Sequence, residues 1–281
     1  MAIVDPDRMD RQQRLQYPDR QRARQRTMGI IVANTLAVAL YGRNNWWRDG
    51  FNGSFRSVNE GWFGRDTYAG GADKLGHFYM NYAGTRLFAR AFEWAGDTPA
   101  ESLTLAAGLT LGTYAAVEMV DGFSKKWRFS KEDMVMNALG VGAGVLLGKN
   151  PELDRLLDLR LLYRPSNDQS GDFDPFGDYS GQTYLLVAKG SGVPALRNHS
   201  LLRFVELAVG YGARGYAKNL SSAIDGRSRN AYVGISINLS ELLRETAFKH
   251  PDAQRTVQRA SDTFLEFVQV PGTAVMARHQ F

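Results

Sequence analysis

The sequence predicts an α+β protein: a membrane-associated bundle of about four helices, then a small antiparallel β-rich domain with C-terminal helices. Three observations carry this. Long helical segments of very low charge fill residues 28–150. A break in composition follows Pro151. Beyond it, short runs alternate with a period of two, best seen in Ala231–Leu239. There Val233, Ile235, Ile237 and Leu239 share one face and Gly234, Ser236 and Asn238 the other. The chain therefore divides into a basic polar arm over 1–27, the helical bundle over 28–150 and a β-rich domain over 151–281 closed by an amphipathic helix.

The arm holds seven arginines against four aspartates in its first 26 residues. With a net charge of +5 and a pI near 9.4, this suits an anionic lipid surface. Tyr17 is its only stacking ring, so no nucleic acid is expected as a partner. A mean hydropathy of −0.32 excludes a chain made wholly of spanning helices. Apolar residues at 44% and charged ones at 22% exclude global disorder. The lack of cysteine excludes disulfides, thiolate metal sites and a cysteine nucleophile.

Met28–Gly42 is an uncharged run of 15 residues, against the roughly 20 of a spanning helix. Ala37-Val38-Ala39 resembles a signal-peptide cleavage site, but Trp46-Trp47 follows at once and suits a membrane–water interface. A retained anchor helix is the favoured reading. After the glycine-rich loop Gly61–Gly71, a second helix runs from near Asp73 to Trp94. Thr98-Pro99-Ala100-Glu101 is a capping box opening a third, to about Val120. Ser130-x-x-Asp133 opens a fourth, to Gly148. Small residues recur every fourth position in two rows, Gly108, Gly112, Ala116 and Gly140, Gly144, Gly148, which predicts close helix crossings.

In the β-rich domain, strands are expected at Leu157–Tyr163, Tyr184–Lys189, Leu202–Tyr211 and Ala231–Leu239, too few for a self-contained membrane barrel. Helices follow near Glu241–Phe248 and Asp252–Val268. The stripe of the latter, Val257, Ala260, Phe264 and Phe267, is expected to pack on the sheet.

Polar residues at helical spacing interrupt the apolar segments. Asp73, His77 and Asn81 share one face, Glu118 and Asp121 another, Asp133 and Asn137 a third. The turn between the third and fourth helices is short, so the last two pairs should lie close; all seven converge if Asp73 starts its helix at the same end. Carboxylates beside apolar helices need partners, such as Lys74, Arg128 or a cation. Glu118, Asp121 and Asp133 are candidate ligands for a divalent cation. His77 held by Asp73, with Glu118 nearby, is a candidate acid/base group. Lys74, Asn81 and Asn137 are candidate binding groups. The competing readings are structural: Asp73 as a helix cap, Asp133 within the Ser130 cap, and the ensemble as a lock on the bundle. Gly210–Gly215 matches G-x-G-x-x-G but reads better as a glycine-bent strand. Asp168, Asp172, Asp174 and Asp178 crowd one loop without the EF-hand spacing of a calcium site.

The order Asp73-Lys74-x-x-His77-Phe78, then Glu118-x-x-Asp121, then Phe129-Ser130-x-x-Asp133-x-x-x-Asn137-x-x-Gly140 resembles the VanZ-like membrane proteins. Glu60-Gly61-Trp62-Phe63-Gly64 and Gly70-Gly71-Ala72-Asp73-Lys74, with the helices after them, resemble more closely the YfiM-type family, often labelled predicted periplasmic lipoprotein. The resemblance covers about residues 45–150. It implies a bacterial envelope location and a helical bundle, but no established reaction, and this sequence has no cysteine to lipidate. The expectation is a membrane-associated envelope protein, at the inner or outer membrane, with lipid as its partner. Its polar cluster serves as a structural or lipid-headgroup-binding module; the alternative is an envelope-lipid hydrolase or transferase.

Overall fold

The computed structural model describes residues 11–166, 175–216, 226–249 and 255–281. The fold is α+β. The chain divides into two units interleaved in sequence, Met1–Val58 with Asn81–Val145, and Asn59–Met80 with Leu146–Phe281.

The first unit is helical. From Arg11 onward the expected arm and the anchor form one uninterrupted helix, α1 (Arg11–Tyr41), closed by a π-helical turn at Gly42–Trp46. Gly42 is needed there, because the Trp47 ring occupies the place of its missing side chain. Ile30 and Ile31 of α1 pack on a core of Ala89, Phe92, Leu103 and Ala106. Met28, Val32, Leu36 and Leu40 recur every fourth residue on another face, and all are exposed. Helix α2 (Ala72–Ala95) ends at Gly96, whose φ of +112° marks a left-handed stop. Helix α3 (Pro99–Phe123) opens with the expected capping box of Thr98 and Glu101. Strands β1 (Ser57–Val58) and β2 (Phe129–Ser130) form a short parallel pair before α4 (Lys131–Lys149).

The two glycine rows behave differently. A Cβ on Gly144 would lie 2.9 Å from Thr85 Cβ and 3.2 Å from the Tyr82 carbonyl oxygen, so this row does mark a close crossing. Gly108 and Gly112 meet no described atom within 4 Å, so the expected crossing along α3 is not made. Periodicity aligned the row, but among the described residues no helix packs against Gly108 or Gly112.

The second unit is built on a five-stranded antiparallel meander. A short helix, α5 (Pro151–Leu156), leads into β3 (Leu157–Tyr163), β4 (Gln182–Lys189), β5 (Val205–Arg214) and β6 (Ser228–Ile237). Helices α6 (Leu239–Glu245) and α7 (Arg255–Phe267) precede the last strand, β7 (Ala274–Gln280), which sequence reasoning missed. Residues 202–204 are a 3-10 turn, so β5 begins later than expected.

The sheet faces are inverted relative to an ordinary soluble sheet. Val205, Leu207 and Val209 on β5, Val233, Ile235 and Ile237 on β6, Leu186 and Val275 are exposed on one side. In register, Val205 lies opposite Ile237, Leu207 opposite Ile235 and Val209 opposite Val233, so the exposed face is continuous. The other side mixes Leu162, Leu185, Val187 and Ala208 with a buried ionic network. Arg160 grips Glu206 with two bonds of 2.8 Å and also bonds Asp158 and Gln269. Ser236 donates to Glu206, and Lys189 pairs with Asp158. Every charge in this network has a counter-charge, the condition under which burying ions is tolerated.

Helix α7 keeps only the end of its expected packing stripe. Phe267 is buried, together with Leu265, while Val257, Ala260 and Phe264 of that stripe are exposed. Gly210 and Gly212 lie within β5, where a Cβ on Gly212 would come within 2.9 Å of the Gln182 carbonyl oxygen. The segment is thus largely strand, as expected, and pairs with β6 in unbroken register. Asp168, Asp172 and Asp174 lie outside the described residues; Asp178 is engaged by Ser166, Tyr163 and the Gly181 amide.

Candidate functional site

The sequence-predicted residues fall on both units. Asp73, Lys74 and His77 belong to the sheet-bearing unit, and Asn81, Glu118, Asp121, Asp133 and Asn137 to the helical one.

In the sheet-bearing unit the site starts from the turn before α2. Gly70 and Gly71 have φ of +60° and +85°, and a side chain on Gly71 would run into the Phe63 ring. This turn delivers Asp73 into the first turn of α2. Its carboxylate accepts from Lys74 Nζ at 2.9 Å and from the Tyr179 hydroxyl at 2.8 Å, and His77 Nε2 lies 3.9 Å away. Asp73 thus serves side-chain partners. Lys74, almost wholly buried, also donates to Glu60 Oε2 at 2.5 Å. The Tyr68 hydroxyl donates to Tyr179 at 2.8 Å, completing a chain Tyr68–Tyr179–Asp73. Burial alone would raise the Asp73 pKa. The attraction of His77 and Lys74, with the bonds from Lys74 and Tyr179, outweighs it and holds the carboxyl below its usual value. Burial and the neighbouring Asp73 charge push Tyr179 and Tyr184 well up, so both phenols stay protonated donors at neutral pH.

In the helical unit, Glu118 is buried and accepts from the Ser130 amide at 3.2 Å. Ser130 Oγ accepts from the Asp133 amide, as the cap reading of that pair requires. Asp121 accepts from the Trp47 indole at 2.6 Å. Asn81 Nδ2 donates to Asn137 Oδ1 at 2.6 Å, tying α2 to α4 with both residues fully buried. A cation shared by Glu118 and Asp121 would compete with the bonds to Ser130 and Trp47.

Sequence reasoning missed Glu60, Tyr68, Tyr179 and Trp47 as partners. Glu60 had a signal, since it sits at the edge of the quoted Gly-Trp-Phe-Gly motif. Tyr179 lies in a loop with no period to place it.

A second polar feature lies in the helical unit. Asp19, Arg20, Arg22 and Arg26 of α1 line an open cavity with Ala95 and Gly96. Arg26 sits 5.8 Å from the ring centre of Trp94, which is 75% exposed. The exposed apolar stripe of α1 begins at Met28, just beyond these arginines.

Fold and site together define an α+β chain with a paired acidic–basic cluster, apolar surfaces left open on each unit and a basic patch beside one of them. Residues 59–149, less than half of the chain, match a family described as "Predicted periplasmic lipoprotein (DUF2279)". That segment, which includes the Glu60–Lys74–Asp73 cluster, is similar to this family, and the match supports an envelope location. No curated protein and no solved structure matches the chain.

Proposed function

We propose that the protein is a membrane-associated module of the bacterial envelope, held to lipid by its helical unit, with the cluster around Asp73 as a structural lock. The observation that carries this is α3. It is uncharged from Ser102 to Val117 and long and apolar enough to cross a membrane, yet only 22% of its apolar window is buried. A soluble core helix with that composition would be buried. The exposed stripe on α1, the arginines before it and Trp94 beside them fit the order of acyl, interfacial and headgroup layers. The envelope description attached to residues 59–149 agrees.

Vesicle flotation tests this reading. Full-length protein should float with vesicles containing anionic phospholipid and more weakly with zwitterionic ones. Each arginine near an anionic surface contributes about 1 kcal/mol. Replacing Arg20, Arg22 and Arg26 together by Gln should therefore weaken binding to anionic vesicles by roughly 100-fold. A protein that stays monomeric in solution without detergent and never floats would contradict it.

One observation favours a second reading. The chain Tyr68–Tyr179–Asp73, ending beside the partly exposed His77, is an arrangement that can orient an imidazole for acid/base work on an envelope lipid. That reading requires release of a lipid fragment by the purified protein and its loss in His77→Ala with the fold intact. Absence of any such release from phospholipid vesicles would reject it.

A further inference from the structure

We propose that β7 is a self-pairing edge, and that two copies of this chain join through it into one continuous ten-stranded sheet. This goes beyond membrane attachment and does not depend on it.

The two edges of the sheet differ. At β3 the Leu161 carbonyl is taken by the Gln269 amide at 3.0 Å, and Val268 bridges to the same strand. At β7 the hydrogen-bond phase can be read directly. Arg229 and Phe281 exchange both backbone bonds, and Thr273 accepts from Ile237. Odd-numbered residues of β7 therefore direct their amides and carbonyls to β6. Ala274, Met276, Arg278 and Gln280 direct theirs to the open side. Among the described residues no backbone bond reaches them. The edge carries one exposed charge, Arg278, but no proline, no lysine and no bulge in its pairing with β6. Val275 beside it is 78% exposed.

A strand edge is satisfied by another strand, and this one has a register in which its own copy pairs every open group with no like charges directly opposite. Antiparallel pairing about a two-fold axis at Ala277 sets Met276 against the partner's Arg278 and Ala274 against the partner's Gln280. All four open residues of each copy then pair. Centring on Arg278 would place two guanidinium groups opposite each other, which is repulsive. Centring on Met276 would leave Gln280 facing Gly272 beyond the strand. The Ala277 register avoids both faults, and it extends the exposed aliphatic face of β5, β6 and Val275 across the junction.

In that register Ala277 meets itself in a pair that does not exchange backbone bonds, with α-carbons about 4.5 Å apart, within disulfide reach. The chain has no cysteine, so single thiols give a clean readout. Full-length protein in mild detergent carrying Ala277→Cys should form a disulfide-linked dimer on mild oxidation. It should do so at least tenfold faster than Ala231→Cys, an exposed outer-face position on β6. Val275→Cys should link only when mixed with His279→Cys. Circular dichroism of each variant checks that the fold is kept. Linking of Ala277→Cys no faster than Ala231→Cys would overturn the proposal, and so would a monomeric wild type by light scattering at micromolar concentration.

Discussion

Lys74 is the residue on which the cluster turns. Its ammonium group is the shared partner of Asp73 and Glu60 in a place with little water. Lys74→Met keeps the apolar stem but takes the shared ammonium group away from both carboxylates. Breaking a buried pair from one side costs roughly 3–5 kcal/mol, and urea denaturation should read a loss of that order. The Asp73 pKa sets a pH dependence whose sign is fixed. A carboxyl held below its ordinary value of 3.8 contributes stability that is fully present above that pH and lost as pH falls through the depressed value. Thermal melts on the acid side of about pH 4 should therefore drop steeply in the wild type. They should drop less in Asp73→Asn, which starts from a lower stability; equal slopes would show that Asp73 is not so held. Glu118 separates a cation site from a scaffold. Glutamine keeps an oxygen to accept from the Ser130 amide but removes the charge. In the cation reading, magnesium, calcium, manganese or zinc raises the melting temperature of the wild type and not of Glu118→Gln. A wild type indifferent to all four, with and without chelator, rejects that reading.

At the scale of elements, the glycine rows give a paired test. Gly144→Ala forces a methyl group against Thr85 and should destabilise by roughly 1–3 kcal/mol. Gly112→Ala meets open space and should stabilise the helix by up to about 1 kcal/mol. Thermal melts that move in the same direction for both would contradict the packing described. The contrast also shows what the sequence could not reveal. Spacing every fourth residue places glycines on one stripe of a helix, but whether a neighbour lies against that stripe depends on tertiary contacts. The same limit applied to β6. The alternation of Val233, Ile235 and Ile237 against Gly234 and Ser236 was legible, and so was the strand. Which side faced inward was not, because Ser236 donates to buried Glu206, which Arg160 in turn grips, and both lie far away in sequence. Helix starts were the most legible features, since the Thr98 box and the Ser130 cap are local hydrogen bonds. Strand β7 was hidden because Ala274–Gln280 has no clean period of two. In the candidate site, the Asp73–His77 spacing could be read along one helix. The tyrosine that orders Asp73 arrives 106 residues later from a loop.

At the scale of the whole molecule, the recurring feature is apolar surface left outside while charge is buried and paired. Arg160 and Glu206 lie beneath a sheet whose other face is aliphatic, and α3 carries an apolar run that its own unit leaves mostly uncovered. In water such surface drives association, and patches larger than a few hundred Å² usually mark an interface. In the helical unit lipid is the proposed cover for that surface, so the depth of α3 in a bilayer is the most direct test. Gly112 is exposed on α3 with space around it, and the chain is free of cysteine. A polarity-sensitive fluorophore attached to Gly112→Cys in vesicle-bound full-length protein should shift to the blue and be quenched by spin labels deep in the acyl chains. The same fluorophore on Arg155→Cys of α5, charged and exposed, should be quenched from water. Water-accessible emission from residue 112, equal to that from residue 155, would contradict the membrane account.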